Sequence, residues 1–168
     1  MLRFNSDHKF KIMQIADTQE IPAVSPDTLS LINNALDREK PDLVIFTGDQ
    51  IKGYSKKFKK DPAIIESTID ILVEPIAKRN IPFMVTYGNH DAQCGVDNRG
   101  QYKFYAKYDK FISGDLRNSD DVGTADIQIY SSTEDKPVFE LYIIDSHGKA
   151  KDGAGYAPVD KEQIEWDV

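Results

Sequence analysis

Two helix-start signatures, Ser25-Pro26 and Asp61-Pro62, each follow a run with strand character, and this alternation constrains the chain more than any other feature. A side-chain oxygen at the N-cap satisfies an orphan backbone N–H, and proline in the next position has no N–H to waste. Residues 10–16, Phe-Lys-Ile-Met-Gln-Ile-Ala, are predicted as the first strand. Leu29, Ile32, Ala35 and Leu36 then recur at helical spacing as far as Glu39, and Pro41 stops the helix. Leu43-Val44-Ile45-Phe46 is apolar on both faces, as a parallel strand covered by helices must be. The second signature opens a helix that runs to about Arg79 and buries Ile65, Ile69, Leu72 and Ile76. Residues 81–87 form the third strand. Right-handed crossovers between such units give a parallel sheet of the α/β class.

In a sheet of this kind ligands bind beyond the carboxyl ends of the strands. Those ends carry Asp17, Gly48-Asp49 and Gly88-Asn89-His90-Asp91. Gly88 is expected to make its turn by taking positive φ. Asn89 offers a neutral amide oxygen, His90 an imidazole that gives or takes a proton, and Asp91 a carboxylate to orient that ring. Each aspartate alone reads as a turn cap. Their joint placement at three strand ends points instead to a metal-dependent hydrolytic site. No Gly-rich phosphate loop follows the first strand, which argues against a doubly wound nucleotide-binding protein.

The remainder of the chain is read more coarsely. Residues 100–111 carry Tyr102, Phe104, Tyr105, Tyr108 and Phe111, a short helix whose rings pack on the sheet in preference to stacking a base or sugar. Residues 126–132 and 137–144 are expected to pair as a hairpin about Thr133-Glu134-Asp135-Lys136. A glycine-bearing loop follows, and Asp160 caps a last helix with Ile164 and Trp166 that runs to Val168. At 168 residues one domain over 1–168 is expected. A net charge of −7 excludes a surface for duplex nucleic acid. Cys94 is the sole cysteine, which rules out an internal disulfide and fits an inert thiol in a reducing compartment. The polar start and the lack of a long apolar run give the expectation of a cytoplasmic protein without a membrane span. Lys52, Lys56, Lys57, Lys59 and Lys60 follow Asp49; a solvated, mobile loop is the plainer reading, and attraction of anionic substrates the alternative.

From residue 8 to residue 168 the chain resembles the calcineurin-like metallophosphoesterases. Members carry Asp-x-His after the first strand, Gly-Asp after the second and Gly-Asn-His-Asp after the third, with a separate His and a Gly-His-x-His further on. Here Asp17-Thr18-Gln19, Gly48-Asp49 and Gly88-Asn89-His90-Asp91 stand in that order. Residues 141–146 and 156–166 also look like the family's middle region. The resemblance implies an α/β/β/α sandwich with two divalent metal ions, Mn, Fe, Zn or Mg being indistinguishable, that hold a shared hydroxide and clamp a phosphate mono- or diester. It further implies that Asp17 binds the first metal, Asp49 bridges both, Asn89 binds the second, and His90, steadied by Asp91, acts on the leaving group. A positioned acid of that kind contributes on the order of 10²–10⁴-fold in rate.

Two departures from the pattern bear on activity. Gln19 stands where the family has histidine, and an amide oxygen is a poorer donor than imidazole for zinc or iron. Gln19 is read as a polar residue of the site, with a ligand, a neighbour of a ligand and a lost ligand all left open. The chain contains only His8, His90 and His147, so the later histidine ligands are missing and a depleted metal site is expected. His147 is read as an ordinary loop histidine, with a substitute ligand as the alternative. The alternative function is a weak or inactive remnant of the fold that serves as a binding module. A truncated domain is expected to leave an apolar sheet face uncovered, for which a second copy of the chain is the natural cover.

Overall fold

The computed structural model describes residues 1–116, 121–150, 152–153 and 155–166; Val168, the expected end of the last helix, lies outside them. The first elements are β1 (Leu2–Arg3), β2 (Ile12–Ile15), α1 (Pro26–Glu39), β3 (Leu43–Thr47), α2 (Pro62–Ala77) and β4 (Phe83–Thr86). They are followed by α3 (Asn98–Ala106), β5 (Asp115–Leu116), β6 (Ala125–Tyr130), β7 (Pro137–Ile143) and α4 (Lys161–Glu165). Strands β2, β3 and β4 form a parallel sheet in that spatial order, with Ile15 opposite Phe46 and Thr47 opposite Thr86.

Alternation along the strands builds two cores. Val44, Phe46, Phe83 and Val85 face α1 and α2, where Ile32, Leu36, Ile65, Ile69, Leu72 and Ile76 meet them. Leu43, Ile45 and Met84 face a second sheet and pack with Ala125, Ile127 and Ile143. Each such side chain contributes about 1.5–3 kcal/mol when fully buried. The second sheet is mixed: β1 lies parallel to β6, while β5 and β7 are antiparallel to it. The hairpin expected from the sequence is the β6–β7 pair, with a bulge at Ile129/Tyr130. The two-residue strands β1 and β5 were not legible, being too short for a periodic pattern. On the outer face of this sheet, Tyr142 meets Trp166 after α4 at 6.0 Å between ring centres. The result is a mixed α/β fold, its sheets flanked by helices.

Helix ends follow the caps read from the sequence, with small shifts. Ser25 Oγ accepts from the Asp27 N–H at 3.3 Å and Asp61 Oδ1 from the Ala63 N–H at 2.9 Å. Helix α1 closes on Lys40 in the left-handed region (φ 46°), one residue ahead of Pro41. Helix α2 ends at Ala77 rather than Arg79. The Arg79 guanidinium is used instead to join α2 to α1, donating to Asp37 Oδ1 at 2.8 Å and to Asn33 Oδ1 at 2.9 Å. Helix α3 stops before Phe111, which forms a bridge with Phe83 and meets the Tyr102 ring edge-on at 5.2 Å between centres. The aromatic stripe is core packing. No described helix is long and apolar enough to cross a membrane.

Candidate functional site

The C-terminal ends of β2, β3 and β4 are laced together by backbone hydrogen bonds. The Asp17 N–H donates to Gly48 O at 3.0 Å, and the Gln19 N–H to Asp49 O at 2.9 Å. The His90 N–H donates to Asp49 Oδ1 at 2.9 Å. Asp17, Gln19 and Asp49 all adopt left-handed backbone, with φ of 53°, 44° and 52°. That region is sparsely used outside glycine, and strained residues gather where function over-determines them. Asp49 is buried, Gln19 half-buried and Asp17 exposed.

Asp91 is placed differently from the expectation. It is 1 % exposed, and its carboxylate accepts from the N–H groups of Gly88 and Asp49 at 2.8 Å and of Ile51 at 3.2 Å. Its oxygens are committed to the backbone of β3 and β4, so it fixes their spacing rather than holding the His90 ring. Burial pushes its carboxyl up to about 6, against the opposing pull of those three N–H bonds. Gly88 also acts otherwise than expected. Among the glycines only others, Gly48 (φ 106°) included, take positive φ. A Cβ at Gly88 would meet Asp49 Oδ1 and lie 2.5 Å from Asp49 N, so glycine is required there for close approach.

The His90 imidazole turns toward its own loop and toward Tyr54. Nδ1 lies 3.1 Å from Gln93 Oε1, whose amide nitrogen is in turn committed to Asn89 O at 3.0 Å. That orientation keeps the ring proton on Nδ1 and leaves Nε2 free to exchange one. The Tyr54 ring sits 4.7 Å from the His90 ring at 62°, and its hydroxyl is 3.5 Å from Gln19 Oε1. Sequence reasoning missed Tyr54, because nothing local marks a tyrosine on a lysine-rich loop as a neighbour of His90.

Asn89 borders a cavity of about 270 Å³ lined by Thr47, Thr86, Ser146, Gly148 and Tyr156 among others. The loop after β7 therefore reaches the same edge, and it brings a donor group that sequence reasoning also missed. Donor atoms of Asp121, Asp145 and His147 lie within 4.8 Å of one another, the two aspartates buried. Asp145 takes the His147 N–H at 2.8 Å and the Asn98 amide at 3.0 Å, and burial raises its carboxyl above the ordinary value. Gln163 Nε2 reaches Asp121 at 3.4 Å and Asp145 O at 2.6 Å. His147 Nε2 also lies 3.6 Å from Asp160 Oδ2, beside a separate cavity of about 690 Å³. Only the clustering of Ser146-His147-Gly148 after a strand was visible beforehand; Asp121 comes from 24 positions earlier than Asp145 and carries no local signal.

Residues 10–167 match the family model for calcineurin-like phosphoesterases. The chain belongs to that family. It is similar to phosphatase DCR2 of Saccharomyces cerevisiae, 34 % identical over 95 % of this chain and 30 % of that protein. It is also similar to probable inactive purple acid phosphatase 14 of Arabidopsis thaliana, 28 % identical over 92 % of this chain and 44 % of that one. A dimetal phosphatase from Danio rerio shares the fold, with a TM-score of 0.55 at 15 % identity, covering 94 % of this chain and 50 % of its own. Across the curated relatives named here, the chain spans less than half of their length.

Proposed function

We propose that the chain carries metal-binding and leaving-group residues of a metal-dependent phosphate mono- or diesterase. Asp17, Asp49 and Asn89 would hold the metal, with Gln19 at its margin. The donors fit a hard divalent cation, since they are carboxylate and amide oxygens with no thiolate among them. Bound there, a divalent ion supplies positive charge to the phosphoryl oxygens and activates a water for attack. The observation that carries this reading is the interlock at the strand ends: Asp49 anchored by the His90 N–H, and three left-handed residues at positions 17, 19 and 49.

His90 moves the proton at Nε2, with Gln93 Oε1 fixing the tautomer from the other side of the ring. Asp91 acts through the backbone, holding the Asp49 and Gly88 amides at a constant separation. The test is hydrolysis of a chromogenic phosphate monoester and diester with added Mn²⁺, alongside calorimetric titration of Mn²⁺ itself. Turnover that requires the metal, with Asp49→Asn and His90→Ala each losing on the order of 10²-fold or more, is the expected result. A second reading, a catalytically silent binding module, is favoured by Gln19 at a motif position where the family carries histidine. Three of the similar plant proteins are named probable inactive purple acid phosphatases. Metal binding without turnover of either ester would favour that reading.

A further inference from the structure

The loop 52–60 is packed onto the His90 segment, and its construction is that of an ordered surface rather than a free loop. Gly53 is buried against His90 O, and a Cβ there would also lie 2.9 Å from Asp91 O and from Cys94 N. Phe58 is 1 % exposed and anchors the loop in the core. Ser55 Oγ caps the short 3₁₀ turn Lys56–Phe58 through the Lys57 N–H at 3.3 Å. The Lys60 stem passes within 3.0–3.3 Å of where a Gly95 side chain would begin. Lys59 and Lys60 both hold φ of 53°, a left-handed backbone that fixes the direction of two consecutive lysines.

This frame presents five lysines within nine positions on a chain of net charge −7. Lys56, Lys57, Lys59 and Lys60 are exposed, and among the described residues none of the five has an ion-pair partner. Elsewhere, Lys78, Lys107 and Lys161 are paired with glutamates. Asp61, the acid next in sequence, is occupied as the cap of α2. Lys52 Nζ lies 5.2 Å over the Tyr54 ring, and Tyr54 in turn covers His90, so the unneutralised charge begins beside the group that acts on the leaving oxygen. Clustered like charges repel one another, and an oppositely charged partner relieves that repulsion.

We infer that the loop 52–60 is a docking surface for acidic residues flanking the phosphorylated position of a protein substrate. That the bound segment is a substrate rests on the reading of the site given above. An exposed, lysine-bearing loop whose Tyr54 ring touches His90 suits an extended acidic chain, whereas the overall negative charge opposes nucleic acid.

The experiment compares a phosphoserine peptide flanked by Asp and Glu with the same peptide flanked by Ala. Binding is read by fluorescence anisotropy and turnover by phosphate release, both with Mn²⁺. The acidic peptide is expected to bind on the order of tenfold more tightly, with a preference that fades as salt is raised. The triple variant Lys56→Gln/Lys57→Gln/Lys59→Gln abolishes the preference, and the corresponding Arg variant restores it. Hydrolysis of a small chromogenic ester is unchanged in both variants. Equal binding of the two peptides overturns the proposal, as does an unaffected Gln variant or an oligonucleotide that binds as tightly as the acidic peptide. Selective, lysine-dependent binding with no turnover of any ester upholds the docking surface and refutes the hydrolytic reading instead.

Discussion

Gly88 lies so close to Asp49 that even a methyl group has no room. Gly88→Ala drives a Cβ into the Asp49 carboxylate and to 2.5 Å from its backbone nitrogen, and a backbone atom cannot swing aside as a side chain can. The expected result is a loss of about 1–3 kcal/mol, read by thermal unfolding, together with weakened Mn²⁺ binding in calorimetry. Cys94 offers a second check at this scale. It is 1 % exposed, and burial pushes its thiol above the ordinary value, so a thiol reagent at pH 8 leaves the native chain unlabelled and reacts fully once urea unfolds it. The residues of the proposed site were visible in the sequence because Asp49 and Gly88-Asn89-His90-Asp91 follow apolar runs directly. Their partners were not. Asp91 stands beside His90 in sequence, yet its carboxylate serves three backbone amides, two of them more than 39 positions away, which no local pattern encodes.

Helices α1 and α2 were legible almost to their ends, since N-cap oxygen and proline act within one turn and hydrophobic spacing is a local property. What holds one helix against the other was not. Arg79, read as the last helical residue, lies past the end of α2 and donates to Asp37, to Asn33 and to Pro75 O. Its hydrogen bond and charge keep the Asp37 carboxyl below the ordinary value of 3.8. A carboxyl depressed in the folded state stabilises above its unfolded value, and that contribution disappears as pH falls through the folded one. Asp37→Asn should therefore lower the urea midpoint at pH 6, and the gap from wild type should close as pH falls below the ordinary value of 3.8. Arg79→Met removes the donors to Asn33 and Pro75 O as well and costs about 1 kcal/mol at pH 6, and the part of that cost owed to Asp37 fades as the carboxyl is protonated. A constant gap between Asp37→Asn and wild type across that range would show the pair to be energetically silent.

At the scale of the molecule, the surface is larger than the mass requires. A folded monomer of 19.0 kDa exposes about 8,400 Å², whereas this chain exposes 9594 Å². Part of the excess lies on β7, which among the described residues pairs with β6 alone. Val138 and Phe139 on that strand are 55 % and 49 % exposed, and Ile144 just beyond it 42 %. An apolar strand with one unpaired edge is a template for another strand, because its free N–H and C=O groups are already aligned. The isolated 168-residue chain is therefore expected to self-associate: its mass by sedimentation equilibrium rises with concentration, and it binds an apolar dye. Val138→Lys with Phe139→Lys places charge on the open edge and returns the mass toward that of a monomer, with little effect on the β3–β4 site at the opposite sheet. A chain that stays monomeric at every concentration and binds no dye would mean that the exposed strand is satisfied by water alone.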